Sequence, residues 1–491
     1  MTTIASEIER LQTAKADIKL ALEDKGVVVD PTATLDSYDT YVESVTTTAV
    51  EAEEKDINFY DYDGFRIDSW SLDELNNRTE LPENPMKHDG LVFEEWNWTL
   101  QQLKAHNDRA CVGALYKTID NKTKLYLDIP TDNESINLRL IVTSGATLNI
   151  SWGDGETETY TSESDSTHTF THGYELKGKY VVELEIPNPS AEDGISFQGD
   201  NPSSGNKFNM FGEITESNYY MFNFLYRVEL SGTFSNHLNK SAFNRLYNLR
   251  HFVNSTTSDS PGAYTFYDCE GLECIILSKN TTAIGTYAFE LCQAIKIISI
   301  PYTVSEIKTD AFRKCYVAKE LIFPNNSSFS YIGEYAAASC NCLKHVIIPN
   351  NSLIQLESYA YAYLYGVRRI DIPSNVVSIA SNTFKNDYSL KEIHVRSTTP
   401  PTVSNANAFS NLPTSCIIYI PRHTMQAYTS AANYPSSSTY TYIEEGPYEP
   451  SQEDLATINN IIGIDSSDPV TYDIEEDEVN EILDNIIGGN E

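Results

Sequence analysis

The chain has 491 residues, with 34 Lys and Arg against 70 Asp and Glu, which gives a formal net charge of −36. At roughly 150 residues per domain, this length predicts about three domains rather than one. The acidity argues against a nucleic-acid partner, because no segment is basic enough to overcome repulsion from phosphates. No apolar run approaches the ~20 residues that a membrane helix needs, so we expect no membrane insertion.

Residues 1–50 are predicted to form a helical segment for oligomerisation or docking. Apolar residues recur there with the alternating four- and three-residue spacing of a coiled-coil seam. The alternative is an amphipathic helix packed on its own chain. The segment carries no apolar stretch of the kind found in secretory signals, so we expect the protein to stay inside the producing cell. The predicted seam residues, which favour a trimer, are Ile4, Ile8, Leu11, Ile18 and Leu22.

Residues 51–115 are predicted to form a small α+β module. The pattern indicates a hairpin with its turn at Asp63-Gly64, followed by helices over residues 72–76 and 99–106. Asp61, Asp63 and Gly64 also match the opening of a calcium loop, but the rest of that motif is missing. A hairpin turn is therefore the preferred interpretation.

Two stretches near the start resemble bacteriophage proteins. The run IASEIERLQTAKADIKLALEDKGVVVDPTATLDSYDTYVESV resembles a segment near the start of many phage and prophage structural proteins. The following INFYDYDGFRIDSWSLDELNNRTELPENP and WNWTLQQLKAH resemble the small module that often comes next in tail-associated proteins. Together they cover about the first 110 residues and imply a virion location.

Residues 116–190 are predicted to form a β-sandwich. Five alternating segments read as strands, namely KLYLDI, NLRLIV, TLNISW, THTFTH and KYVVELEI. The WGDG turn, the His168–His172 strand and the final GKYVVELEI resemble a PKD-type immunoglobulin-like domain, which implies a spacer or weak binding role. Residues 173–179 have the spacing of a phosphate loop but lack its Ser or Thr, and the two histidines lie too far apart on a strand to share a metal.

Residues 205–446 are predicted to form a solenoid. Aromatic or small apolar markers recur every 23 to 25 residues, at Phe243, Phe266, Phe289, Phe312, Ala337, Tyr361, Phe384 and Phe409. A period of 20–29 residues is typical of leucine-rich repeats, and we expect one strand and one turn from each unit. The units IKIISIPYTVSEIKTDAFRKC and LKHVIIPNNSLIQLESYAYAYL resemble the BspA-type leucine-rich repeat of bacterial surface proteins and phage receptor-binding proteins.

Two sets of side chains in the repeats invite a functional interpretation. Cys269, Cys292, Cys315 and Cys340 stand three residues after their markers and read as small buried hydrophobes rather than as a metal ladder. Tyrosines concentrate in two successive repeats, where core packing and an exposed strip for contacting sugars are both open. These possible receptor-facing residues are Tyr331, Tyr335, Tyr359, Tyr361, Tyr363 and Tyr365.

Residues 447–491 are predicted to form an acidic helical hairpin. No catalytic constellation, metal site or cofactor motif stands out, so we expect a protein that is not an enzyme. The preferred function is a phage virion structural protein, assembled in the host cytoplasm, that attaches to other virion proteins at its N-terminus and to a host glycan or protein through the solenoid. The alternatives are an architectural virion protein, a bacterial BspA-like surface adhesin and a polysaccharide-degrading tail enzyme.

Overall fold

The computed structural model describes residues 55–199, 208–214, 223–350 and 354–445. This part of the chain is mainly β and contains few helices. Both the predicted N-terminal seam and the predicted acidic tail lie outside the described residues. None of the described helices is long and apolar enough to cross a membrane.

An α+β module comes first. Its elements are β1 (Ile57–Tyr60), β2 (Arg66–Trp70), α1 (Leu72–Asn77), β3 (Leu91–Trp96), α2 (Leu100–His106) and β4 (Ala110–Thr118). The sheet order is β2-β1-β4-β3. Each helix begins with a capping box, from Ser71 and Glu74 in α1 and from Thr99 and Gln102 in α2. The predicted hairpin and both helices are confirmed, whereas β3 and β4 were not expected.

A two-sheet sandwich follows. Its strands are β5 (Thr123–Ile129), β6 (Glu134–Val142), β7 (Thr147–Ser151), β8 (Thr157–Thr161), β9 (Thr167–Tyr174), β10 (Gly178–Glu185) and β11 (Gly194–Phe197). The five predicted strands are confirmed, and β8 and β11 are additional. Alternate residues of β6 and β7 face the core, as the alternation of apolar and polar residues requires.

The coils of the solenoid carry two short strands each, rather than the one expected. The coil strands are β12 (Phe208–Asn209), β13 (Gly212–Glu213), β14 (Leu225–Glu229), β15 (Ser235–Leu238), β16 (His251–Val253), β17 (Cys274–Ile276), β18 (Ala283–Ile284), β19 (Ile297–Ser299), β20 (Glu306–Ile307), β21 (Tyr331–Ile332), β22 (Ile354–Leu356), β23 (Arg369–Ile372), β24 (Val376–Ile379), β25 (Glu392–Val395), β26 (Thr402–Val403), β27 (Ile417–Pro421) and β28 (Thr441–Glu445). A 3₁₀ turn (Ala406–Phe409) and α3 (Met425–Thr429) lie in the last coils.

These coil strands form two parallel faces. The first face contains β14, β16, β17, β19, β23, β25, β27 and β28, and the second face contains β15, β18, β20, β21, β22, β24 and β26. Each coil returns from the second face to the first through a turn that contains the marker residue. We call this third side of the solenoid the turn side.

The sandwich and the solenoid share their sheets. Strand β14 pairs antiparallel with β5 of the sandwich and parallel with β16 of the next coil. On the other sheet, β15 pairs parallel with β11. One hydrophobic core therefore runs from the sandwich into the last coils.

The marker residues stack through that core. The rings of Phe243, Phe266, Phe289 and Phe312 lie nearly parallel, with neighbouring centroids 5.2 to 5.4 Å apart. Phe197 of β11 contacts the first of them at 5.3 Å, so the stack begins inside the sandwich. The recurring marker thus sets the register of coil on coil.

The α+β module packs against the first face of the early coils. Apolar residues of β17 and β19 enter the core of the module. The Trp98 indole donates a hydrogen bond to the Ile300 carbonyl at 2.9 Å, and the Asn97 amide donates one to the Leu277 carbonyl at 3.0 Å. The Arg109 guanidinium pairs with Glu320 at 2.8 Å. The module therefore covers the first face up to about residue 325 and leaves the later coils open.

Candidate functional site

The turn side is built from residues in the left-handed backbone region. Two residues before each marker the backbone φ lies between 56° and 61° in seven coils, at Ser241, Tyr264, Tyr287, Asp310, Tyr335, Tyr359 and Asn382. This conformation aims each backbone N–H at the next coil, as in the bond from Tyr287 N–H to the Thr309 carbonyl at 3.0 Å. The side chains at this position form a column along the solenoid, which we call the turn column.

Tyrosine rings in the turn column stack in two pairs. Tyr264 and Tyr287 lie 4.7 Å apart between centroids, and Tyr335 and Tyr359 lie 4.4 Å apart, with interplanar angles of 18° and 7°. Each of the four rings is partly exposed. Between the two pairs stands Asp310, whose short side chain leaves room for a guanidinium. Arg313 occupies that space, with its guanidinium carbon 4.9 Å from the centre of the Tyr335 ring.

The charges beneath the column hold Arg313 in place. Its guanidinium lies 3.0 Å from the Asp310 carboxylate and 3.6 Å from that of Glu290. Burial and the nearby Asp310 raise the pKa of Glu290 to about 7, against the opposing effect of Arg313. Burial likewise raises the pKa of Asp310. Both carboxyl groups therefore hold protons more tightly than free side chains do.

The six tyrosines singled out in the sequence occupy four different places. Tyr335 and Tyr359 belong to the turn column, and the Tyr363 ring lies 6.5 Å from Tyr359 and parallel to it. Tyr331 lies on the second face, in β21. Tyr365 lies beyond the turn and stacks on Tyr388.

The prediction that Tyr361 faces a receptor is wrong. It is the marker residue of its coil and is only 2% exposed, and its ring stacks on Phe384 at 6.1 Å. Its hydroxyl has no hydrogen-bond partner. The residue therefore fills the position that Phe fills in most other coils.

The repeated cysteines line the core beside the markers. Cys269, Cys292, Cys315 and Cys340 are fully buried. Each thiol donates a hydrogen bond to the marker carbonyl of the preceding coil, as from Cys292 to Phe266 at 3.0 Å. Burial raises the pKa of these thiols where a shift is resolved, which keeps them protonated and unreactive. Among the described residues, no group of three or more His, Cys, Asp or Glu is arranged to hold a metal ion.

A charged network covers the open part of the first face. The His394 ring nitrogens lie 2.7 Å from Glu445 and 3.2 Å from Glu392, and the ring stacks on Tyr419. The Arg369 guanidinium pairs with Asp371 at 2.7 Å. Next to this network, a cleft of about 430 Å³ opens between Asp108 and Arg109 of the module and the strands around Arg369. These paired charges tie the last strand, β28, to the body of the solenoid.

The turn column could have been found in the sequence only through the marker register. Its members are Ser, Tyr, Asp and Asn, which share neither size nor charge. Aligning the chain on the markers places all of them two residues earlier. The functional contrast is then visible, because Tyr replaces the Asn or Asp that this backbone conformation favours.

The comparisons with known proteins place the repeats in a family. A model of the BspA-type leucine-rich repeat region matches residues 212–336 and 318–439, in six copies. The solenoid is built of BspA-type leucine-rich repeats. No curated protein sequence matches the chain.

Several solved leucine-rich-repeat proteins are similar to the chain. One is a leucine-rich-repeat protein of T. pallidum, 18% identical over 42% of this chain and 77% of its own, at a TM-score of 0.27. Another is the pneumococcal vaccine antigen PcpA, 17% identical over 43% of this chain and 68% of its own, at 0.26. A third is a leucine-rich cell surface protein from Faecalibacterium prausnitzii, 17% identical over 45% of this chain and 71% of its own, at 0.25.

Proposed function

We propose that this protein is a non-enzymatic attachment protein whose leucine-rich repeats recognise a glycan or protein on a cell surface. The observation that carries the proposal is the turn column, where four partly exposed tyrosines adopt the left-handed conformation. The turn does not require tyrosine, since Ser241, Asp310 and Asn382 form it equally well.

The energies favour a role for these rings beyond the fold. A left-handed conformation costs an L-residue roughly 1–2 kcal/mol, and Asn and Asp adopt it most readily. Stacking returns about 0.5–1.5 kcal/mol for each pair of rings. Two tyrosines in a pair thus cost more than their mutual contact returns, which is expected where the rings are kept to bind something. Phenol groups suit this purpose, because they combine a rigid apolar ring with a hydroxyl that can donate or accept a hydrogen bond.

A bacteriophage virion is the location we propose. The resemblance of the first 110 residues to phage structural proteins supports it, as does the order in which attachment-like residues precede the repeats. In this proposal residues 1–50 bind other virion proteins and form a homo-oligomer, with a trimer favoured, and the sandwich acts as a PKD-like spacer. Light scattering of the full chain and of a variant lacking residues 1–48 tests the oligomer, because only the full chain should form trimers.

A second candidate is a bacterial surface adhesin, which the BspA-type repeats favour. The two candidates differ in where the protein is found. Immunogold labelling of intact phage particles should decorate the tail in the first case and leave particles unlabelled in the second. Labelling of the head or tail barrel, without any effect of the protein on adsorption, would instead support an architectural role.

Competition with phage adsorption tests the attachment proposal. Excess purified full chain should slow adsorption of the parent phage to host cells, and the double variant Tyr335→Asn, Tyr359→Asn should compete less. Asparagine suits the left-handed conformation, so this variant should keep its fold. Tyr160→Thr, which removes a partly buried tyrosine of the sandwich, is the matched control. Equal competition by all three proteins would contradict a binding role for the turn column.

A further inference from the structure

A second column of side chains lies where the chain enters the first face. In five consecutive coils the residue just before the first-face strand position is basic, at Lys296, Lys319, Lys344, Arg368 and Lys391. The backbone links these positions directly. Lys319 N–H donates to the Lys296 carbonyl at 3.3 Å, Lys344 N–H to that of Lys319 at 3.1 Å, and Lys391 N–H to that of Arg368 at 2.7 Å. We call these five residues the basic column.

The charges of this column are concentrated and mostly uncompensated. All five side chains are exposed, and neighbouring coils lie ~4.8 Å apart, so like charges face one another along the row. Lys296 pairs with Glu273 at 3.2 Å, at one end. Among the described residues, Lys319, Arg368 and Lys391 make no ion pair. This is unusual in a chain with twice as many acidic as basic residues.

Exposed aromatic rings accompany the column. Tyr365 and Tyr388 stand three residues before Arg368 and Lys391, at one register position of successive coils. Their rings stack with centroids 5.9 Å apart and are 44% and 57% exposed. These tyrosines are thus more exposed than the marker residues and lie beside the most strongly basic part of the row.

We propose that the basic column and these two tyrosines bind a linear anionic polysaccharide, one that carries a carboxylate on its successive sugars. The row is one side chain wide and repeats once per coil, which matches a single extended chain with regularly spaced charges. Aromatic rings beside the cations suit the apolar faces of sugars. A nucleic acid fits less well, because the net charge of −36 repels a densely charged phosphate backbone.

This inference deepens the proposed attachment function by naming its ligand class, and it rests on that function. Arg368 and its neighbours lie on the first face, whereas the tyrosines of the turn column lie on the turn side. The two columns therefore provide separate contacts, and each can be removed without the other.

Binding of polygalacturonate to the full chain tests the proposal. The full chain should bind this polymer at 50 mM salt and not bind neutral dextran, and 200 mM salt should weaken binding by about tenfold because salt screens exposed charges. The triple variant Lys319→Gln, Arg368→Gln, Lys391→Gln should also lose about tenfold in affinity, since it removes the cations that face the polymer. Tyr365→Ser with Tyr388→Ser should weaken binding and leave its salt dependence unchanged.

A charge-matched control separates the column from the overall charge. The triple variant Lys87→Gln, Lys177→Gln, Lys308→Gln removes three exposed lysines elsewhere, so both triple variants have a net charge of −36 − 3 = −39. An equal loss of affinity in both variants would overturn the proposal. So would the absence of polygalacturonate binding, or stronger binding of a single-stranded (dT)20 than of polygalacturonate.

Two further outcomes distinguish this inference from the attachment proposal. If the full chain slows phage adsorption but binds no polyanion, attachment stands and the basic column is not its site. If it binds polygalacturonate through the column but does not slow adsorption, the column stands and the attachment proposal fails. Binding only by a variant that ends at residue 446 would identify the acidic C-terminal segment as the occupant, which contradicts a polysaccharide site.

Discussion

The contact between the module and the solenoid can be tested with one methyl group. Gly113 lies in β4 against Ile276 of β17, and a Cβ added at Gly113 would lie 2.3, 2.7 and 2.9 Å from three carbons of that isoleucine. Carbon atoms prefer separations of about 3.5–4.0 Å. Ile276 is only 1% exposed, so it has no free space to move into. Gly113→Ala must therefore push the module away from the first face.

The cost follows from overpacking and from one buried hydrogen bond. Overpacking a dense core costs about 1–3 kcal/mol. The Asn97 amide, which bonds to the Leu277 carbonyl beside this contact, adds about 1 kcal/mol if it is displaced. We expect Gly113→Ala to lower the free energy of unfolding of the module by about 2–4 kcal/mol. Gly173→Ala is the control, since nothing lies within 4 Å of its added Cβ, and it should change stability by less than about 0.5 kcal/mol.

Tryptophan fluorescence during urea unfolding of the full chain provides the measurement. Three of the four tryptophans, Trp70, Trp96 and Trp98, lie in the module, so the signal reports mainly on its unfolding. The double variant Gly113→Ala, Ile276→Ala should lose less stability than the sum of the two single variants, because the smaller side chain makes room for the new methyl group. Equal urea midpoints for Gly113→Ala and Gly173→Ala would refute the docked arrangement.

Three other predictions concern the solenoid. Phe312→Ala should cost about 3–5 kcal/mol in urea unfolding, since a fully buried ring leaves a cavity, whereas exposed Val377→Ala should cost less than about 0.5 kcal/mol. Tyr361→Phe should stabilise the protein by about 1 kcal/mol in the same assay, because it removes a buried hydroxyl without a partner; a loss of stability would show that the hydroxyl is satisfied. The raised pKa of Glu290, about 7 when folded against 4.5 for the free side chain, makes the folded state bind more protons between these values, so its contribution to stability falls as pH rises through that window. Glu290→Gln should therefore match the wild type below about pH 4 and exceed it by up to about 3 kcal/mol at pH 8, as measured by urea unfolding at each pH; a constant difference at all pH values would refute this.

The sequence predicts the coils well, because their residues repeat. The register of Phe312 and Cys315 follows from spacing alone, and both residues are buried where the repeat requires. Strand β3 was missed because Glu94 and Glu95 interrupt its apolar pattern. In the folded chain these two side chains contact the solenoid, where Glu94 accepts a hydrogen bond from Thr256 N–H and Glu95 pairs with Lys279. Their partners are more than 160 residues away, so no local pattern reveals them.

A signal for the docked module was nevertheless present in the repeats. Coils beneath the module carry continuous apolar runs, CIIL at 274–277 and IISI at 297–300, as strands do when both of their sides are covered. Open coils alternate instead, with RIDI at 369–372 and EIHV at 392–395. The left-handed tyrosines offered no comparable signal, because backbone conformation is set by the coil-to-coil hydrogen bonds and not by the residue type.

The sheets shared between sandwich and solenoid make the two ends of the repeat array unequal under mechanical load. In an array where each coil contacts only its neighbours, unravelling begins at the end with fewer contacts. At the sandwich end, the first coil strand is bonded to β5 on one side and to β16 on the other. At the far end, β28 is bonded within the described chain only to β27. A tensile force on the solenoid should therefore release coils from the β28 end first, while the turn column and the basic column keep their shape until the later coils are lost.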